Sequence, residues 1–349
     1  MQSAPVHPLI PRQHRLQDSL ARPLRDLRLS VTDRCNFRCP YCMPQARYHD
    51  QYRFLKSAER LSFEELLRLT RLFLKLGVVK LRITGGEPLL RPGLADLIGD
   101  LSLLPQIEDL ALTTNGVLLA QQAAPLRAAG LRRVTVSLDS LDEQVFAAMA
   151  GGFGNVTDVL EGVTAAQRAG LAPIKINAVI QRGVNEHTAL GLLEHFRGSG
   201  IIVRFIEYMD VGTRNDWDRS QVVASQELLA RIEERWPLVA LEPLYRGEVA
   251  RRYAFRDGAG EIGFIASVTQ PFCGDCARAR LSSDGKFYTC LFAAEGFDLR
   301  TPLRAGASDE ELRALIAAVW ERRADRYSEL RDALRGPGIR HVEMNQVGG

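Results

Sequence analysis

The chain's six cysteines stand at positions 35, 39, 42, 273, 276 and 290, in two groups of three. The first group lies in Cys35-Asn36-Phe37-Arg38-Cys39-Pro40-Tyr41-Cys42, a spacing that lets one loop wrap a single metal centre. The second is Cys273-Gly274-Asp275-Cys276 with Cys290 further on, again three thiols without a fourth. A structural zinc site is normally closed by four protein ligands, and neither group has an adjacent fourth cysteine or histidine. Three disulfides are the other plain reading, but they are rare in a large chain without a secretory signal. For the first group a cubane iron–sulfur cluster fits better, because three thiolates leave one of its irons open to a small molecule.

Three further stretches could do chemistry. In Gly85-Gly86-Glu87-Pro88, two glycines let backbone approach a ligand closely, and a carboxylate can pair with an ammonium group. Alone, that motif is also an ordinary tight turn. Arg278-Ala279-Arg280 projects two cations to one side if extended, and guanidinium groups grip phosphate through paired hydrogen bonds. A solvated basic pair is the plainer alternative. The terminal Gly348-Gly349 reads as a frayed end unless something holds it.

The elements that must position these residues follow a repeat. An alternating, β-branched run at 27–32 predicts a strand ahead of the first cysteines. Ser62 and Glu65 form a capping box, with Leu66, Leu69, Phe73 and Leu76 at helical spacing and Gly77 as the stop. Strands follow at 78–84, 108–113, 133–138, 174–180 and 201–207, with helices near 93–103, 118–129, 142–169 and 187–198 between them. Six strand–helix units with polar residues at the strand ends predict an α/β fold, an incomplete six-stranded TIM-type barrel. Residues 44–60 read as a long functional loop, and 211–223 as a polar loop. A helix is expected at 225–236, short strands and turns over 249–292, and a helix opened by the Ser308 and Glu311 capping box. The chain thus divides into an arm at 1–24, a partial barrel at 25–210, and a C-terminal α+β segment at 211–349 that closes the open side. The proline-bearing arm has no signal-peptide core and reads as frayed or surface-wrapping.

Over 349 residues, hydrophobic content of 46% and charged content of 25% are those of an ordinary globular protein. A net charge of +3 is too mild to point to nucleic acid, and the apolar runs are shorter than the roughly 18 residues a membrane helix needs. Neither nucleic acid nor membrane is expected as a partner, and a cytoplasmic setting is.

The first thiol loop resembles the signature of the radical S-adenosylmethionine (SAM) superfamily, with Tyr41 at the aromatic position typical of it. The order Thr32-Asp-Arg-Cys-Asn-Phe-Arg-Cys-Pro-Tyr-Cys-Met-Pro44, Arg82-Ile-Thr-Gly-Gly-Glu-Pro88, Phe205-Ile-Glu-Tyr-Met-Asp210 and Phe272-Cys-Gly-Asp-Cys-Ala-Arg-Ala-Arg280, with the diglycine end, resembles the GTP 3′,8-cyclase family. That resemblance implies two [4Fe–4S] clusters, the first on Cys35, Cys39 and Cys42 and the second on Cys273, Cys276 and Cys290. It implies SAM on the open iron of the first, contacted by Tyr41, Gly86, Ser137 and Met209, and cleaved to a 5′-deoxyadenosyl radical. It implies GTP held by Arg28, Arg82, Thr113, Lys175, Arg278, Ala279 and Arg280, and a tail, Gly348-Gly349, inserted into the pocket and needed for activity. The ribose 3′ hydrogen is removed and the 3′ carbon attacks C8 of guanine, opening molybdenum cofactor biosynthesis. A homodimer, a reductant protein and a cyclic pyranopterin monophosphate synthase that takes the product are the implied partners. The rival readings are a peptide-modifying radical SAM enzyme with an auxiliary cluster and a zinc-binding interaction module.

Overall fold

The computed structural model describes residues 16–334 and 340–348. Gly349 and the first part of the arm lie outside the described residues. Six strands come in sequence order: β1 (Asp26–Ser30), β2 (Lys80–Thr84), β3 (Asp109–Thr114), β4 (Arg133–Ser137), β5 (Lys175–Ile180) and β6 (Ile202–Glu207). Each pairs in parallel with the next, the helices crossing between them. The first crossover helix, Phe63–Lys75, starts where Ser62 Oγ accepts from Glu65 N at 3.1 Å and Glu65 accepts from Ser62 N at 2.7 Å. It buries Leu66, Leu69 and Phe73 and ends before Gly77, whose φ of 109° few other residues adopt.

The C-terminal segment continues the same sheet at both edges. Its strands are β7 (Leu238–Leu241), β8 (Arg251–Phe255), β9 (Glu261–Ile265), β10 (Arg278–Leu281), β11 (Lys286–Tyr288) and β12 (Phe297–Asp298). β9 adds in parallel beside β6, and β10 adds in parallel beside β1. The antiparallel pairs β8–β7 and β11–β12 complete a sheet ordered β12-β11-β10-β1-β2-β3-β4-β5-β6-β9-β8-β7. The sheet curves without closing, so it is a partial barrel.

The two faces of the sheet differ chemically. Leu27, Leu29, Leu81, Ile83, Leu112, Val134, Val136, Ile176, Ala178, Val203 and Phe205 are buried in the main core under the helices. On the concave face stand Arg28, Lys80, Arg82, Thr113, Arg133, Ser137, Lys175, Asn177 and Arg204, which line one cavity. A closed TIM barrel fills that space with layers of branched apolar side chains. Here the strand period of two has been used to put charge inside.

The described end of the arm, residues 16–24, packs against the body. Leu16 N donates to Leu76 O and Leu24 N to Leu16 O, and Asp18, Arg22 and Leu24 are buried. Its described residues are therefore part of the folded body, because Leu24 joins the core and the polar pair finds internal partners. Among the described residues, no helix is long and apolar enough to cross a membrane.

Candidate active site

The first cysteine loop leaves β1 and lies over the C-terminal ends of the strands. It is pinned from several sides. Gly86 N donates to Thr32 O and Glu87 N to Arg34 O, both at 2.8 Å. A Cβ on Gly86 would stand 2.6 Å from Arg34 C and closer still to its carbonyl oxygen, so the glycine admits the cysteine loop itself. Tyr41 Oη donates to Asp139 at 2.8 Å, and Asp139 also accepts from Val179 N, tying the loop to the ends of β4 and β5. Glu87 is buried and lines the cavity. Its carboxylate accepts from Leu89 N, Thr114 Oγ1 and Asn115 N, at 3.0, 2.7 and 2.7 Å. It thereby stitches β2 to β3 beside the cysteine loop.

The second triad sits at the opposite end of the strands. β10 pairs with β1 in the register Arg278 to Asp26, so Cys276 precedes the first paired rung, whereas Cys35 follows the last. Five residues of strand, about 16 Å, separate the two levels. Cys290 follows β11, which returns antiparallel beside β10. All six cysteines are free thiols of intermediate exposure, and all six line the same cavity of about 470 Å³.

The wall between the triads is cationic. Register sets Arg28 directly beside Arg280 on one side and Arg82 on the other. Arg82 Nη1 donates to Thr113 Oγ1 at 2.8 Å and Thr135 Oγ1 at 3.1 Å. Arg133 is held by both oxygens of Asp109, and nearer the second triad Lys80 lies 3.5 Å from Asp26 with its ammonium on Tyr245 Oη at 2.5 Å. Arg204 bonds Asn177 Oδ1 at 2.9 Å, and Lys175 lies between β4 and β6. Like charges side by side on a sheet repel, and the wall has too few carboxylates to balance them. Burial first, and then Arg280, Arg278 and Arg82, hold Arg28 well below its ordinary value. Burial, Arg204, Arg133 and Arg82 bring Lys175 down to about 7. Arg278 Nε and Arg280 Nε are buried without a hydrogen-bond acceptor. Such a wall is built for an anion.

Most of the expected site residues converge here. Arg28, Arg82, Thr113, Lys175, Arg278, Arg280, Tyr41, Gly86, Ser137 and Met209 all line the cavity. Ala279 does not: between two inward arginines on a strand, its side chain points outward, and it is buried in the core. Its backbone is engaged in the β1–β10 ladder. Gly348 stands at the cavity's edge against Thr84, the last residue of β2, with φ 71°. The segment before it is anchored: Val347 is fully buried, Asn345 Nδ2 donates to Asp33 O at 2.9 Å, and Asn345 Oδ1 accepts from Tyr48 Oη at 3.0 Å. Glu343 accepts from Thr213 N and Oγ1, fastening the tail to the 211–223 loop. The sequence reading had no use for Asn345-Gln346-Val347, and it missed Lys80, Arg133, Asn177 and Arg204. Alternation on β5 and β6 was the available signal, since Lys175, Asn177 and Arg204 occupy the face opposite Ile176, Ala178, Val203 and Phe205.

The residues present fit the implied metal groups. Phe37 N donates to Cys35 Sγ at 3.4 Å and Phe292 N to Cys290 Sγ at 3.5 Å, contacts that suit thiolate ligands. Burial pushes Cys276 up, but Arg278 and Arg323 outweigh it and hold the thiol at about 6. Burial, and then the charge of Glu87, push Cys35 up to about 12. Among the described residues, no three His, Cys, Asp or Glu side chains gather around one ion-sized point.

Residues 29–196 match the Radical SAM superfamily, and residues 201–329 match Molybdenum Cofactor Synthesis C. The crystal structure of Streptococcus suis SuiB bound to S-adenosylmethionine superposes with a TM-score of 0.61 at 14% identity, over 89% of this chain and 68% of that one. Fold and thiol loop therefore define a radical SAM protein. The chain is 55% identical to the GTP 3′,8-cyclase of Xanthomonas axonopodis pv. citri (strain 306), over 96% of its own length and 99% of the relative's. It is 51% identical to that of Acidothermus cellulolyticus and 47% identical to that of Staphylococcus aureus (strain MRSA252), with the same coverages. The chain belongs to the GTP 3′,8-cyclase family.

Proposed function

We propose that the protein converts GTP to (8S)-3′,8-cyclo-7,8-dihydroguanosine 5′-triphosphate, the opening step of molybdenum cofactor biosynthesis, as a carbon–carbon lyase of the radical SAM class. One observation carries the reading: an unbalanced cationic wall joins two separate thiol triads inside one cavity. Cys35, Cys39 and Cys42 would hold one [4Fe–4S] cluster, and Cys273, Cys276 and Cys290 a second. When bound, the first cluster and SAM supply the electron and the hydrogen-abstracting radical chemistry.

The chain's own residues place the substrate. Arg28, Arg82, Lys175, Arg278 and Arg280, with Thr113 and the unforeseen Lys80 and Arg204, hold the triphosphate along the strands and fix the nucleoside's reach towards the first triad. Gly86, Ser137 and Met209 border the space beside Tyr41 where SAM is held. The tail closes the edge at Thr84 and keeps water from a reactive site. Residues 25–210 are the radical-generating part, 211–349 the part that receives the base. The working assembly is a cytoplasmic homodimer fed by a reductant protein, with cyclic pyranopterin monophosphate synthase taking the product.

Anaerobic incubation of reconstituted protein with GTP, SAM and a reductant should give 5′-deoxyadenosine and the cyclised nucleotide together. Replacing Cys273, Cys276 and Cys290 with Ala should spare SAM binding and stop cyclisation. Cyclisation by that triple variant, or two zincs and no sulfide in the purified protein, would overturn the reading.

A further inference from the structure

The described part of the arm makes contacts that the reaction above does not use. Residues 17–23 form a tight bend in which Asp18 N donates to Arg22 O, and Asp18 Oδ1 accepts from Leu20 N and Arg22 N, both at 2.9 Å. The other carboxylate oxygen is shared by two guanidinium groups, Arg22 Nε at 2.6 Å and Arg323 Nη1 at 3.1 Å. All three side chains are buried. Each arginine then reaches a different cysteine of the second triad. Arg22 Nη1 donates to Cys273 O at 2.8 Å, and Arg323 Nη1 donates to Cys276 O at 2.7 Å.

The third cysteine is reached through Asp325. Its backbone oxygen accepts from Arg22 Nη1 at 2.7 Å, and its carboxylate accepts from Thr289 Oγ1, next to Cys290, at 2.6 Å. Trp320, under the Arg323 guanidinium at 4.6 Å, donates to Arg22 O and closes the network. A core ion pair needs only to be satisfied. This one also sends Nη1 of each arginine to a cysteine carbonyl, Cys273 O and Cys276 O, while Arg22 Nη2 and Arg323 Nε have no hydrogen-bond partner.

We propose that Asp18, Arg22 and Arg323 form a clamp that positions the second thiol triad, so that the arm is part of the substrate-side metal site. Asp18 is the positioning residue: it fixes both guanidinium groups, and they fix the cysteine carbonyls. The inference rests on the triad being a ligand set, but its first test does not need the metal.

The test compares Asp18→Asn and Asp18→Glu with the parent protein. In metal-free protein, alkylation rates of each cysteine are followed by mass spectrometry. Asp18→Asn should speed modification of Cys273 and Cys276 about tenfold and leave Cys35, Cys39 and Cys42 unchanged, the energetic equivalent being 1.4 kcal/mol. Asp18→Glu should lie between. After reconstitution, Asp18→Asn should lose or shift the electron paramagnetic resonance signal of the second cluster while keeping the first, with SAM binding intact. Equal acceleration at both triads would mark general loosening and overturn the clamp, as would no acceleration at all. If Asp18→Asn does not fold, Arg323→Gln replaces it: the shorter, neutral side chain removes the one nitrogen that joins Asp18 to Cys276 O. A parent protein that binds only one cluster would refute the cluster reading while leaving the alkylation result to judge the clamp.

Discussion

Gly348→Ala is the sharpest perturbation of the tail. Gly348 has φ 71° and ψ 143°, a region of backbone space that is nearly glycine's alone. Placing alanine there costs about 1–3 kcal/mol before any contact is considered. An added Cβ would also lie 2.7 Å from Thr84 Cβ and closer to its Cγ2 and Oγ1. Thr84 is buried at the end of β2, so it cannot step aside, and overpacking of that kind costs about 1–3 kcal/mol more. Against this stands what holds the tail in place. Burial of Val347 contributes about 2 kcal/mol, and the two Asn345 side-chain bonds about 1 kcal/mol each. The two sides are comparable, so alanine should tip the tail out of the pocket in a large share of molecules. Turnover should fall about 10- to 100-fold, at 1.4 kcal/mol per decade.

The assay is anaerobic formation of the cyclised nucleotide, with iron content and SAM binding measured on the same sample. Amide exchange at Val347 should accelerate in step with the lost activity. Thr84→Ala combined with Gly348→Ala should recover the overlap part of the loss and leave the backbone part. Turnover by Gly348→Ala within twofold of the parent, with both clusters present, would refute the idea that this tail belongs in the pocket.

Two other consequences can be measured directly. Because Lys175 titrates near pH 7 in the free protein, a bound triphosphate must raise its pKa, so binding above pH 7 takes up a proton. Affinity should then fall by up to about tenfold per pH unit above 7, and calorimetry in buffers of different ionisation heat should show the uptake, absent in Lys175→Met. Gly86→Ala would push a Cβ into the backbone of Arg34, and it should cost the iron of the first triad while sparing that of the second; retention of both clusters would sink that account.

The parallel strands, their helices and the placement of the thiols at strand ends were legible because they depend on local rules: a strand period of two, a helical period of about 3.6, capping boxes and glycine stops. Ser62 with Glu65, and the paired Arg278 and Arg280, needed no partner to be read. What escaped depends on partners far along the chain. Nothing within 249–292 says that β9 will extend one edge of the sheet and β10 the other. Nothing in Asp18 announces Arg323, and the tail residue Asn345 has meaning only beside Tyr48 and Asp33.

The register of β10 on β1 ties these parts together. Had β10 slipped by one residue, Arg278 and Arg280 would face the core and Ala279 the cavity, because side chains alternate along a strand. Ala279 in the core and Leu281 beside it therefore decide which way the arginines point, and their burial opposes the repulsion among Arg28, Arg82 and Arg280. The same register fixes Cys276 at one end of the strands while β1 delivers Cys35 to the other. A single pairing choice thus sets the separation of the two thiol triads and aims the cations between them. Stability lies in the apolar outer face, which leaves the inner face free to carry charge.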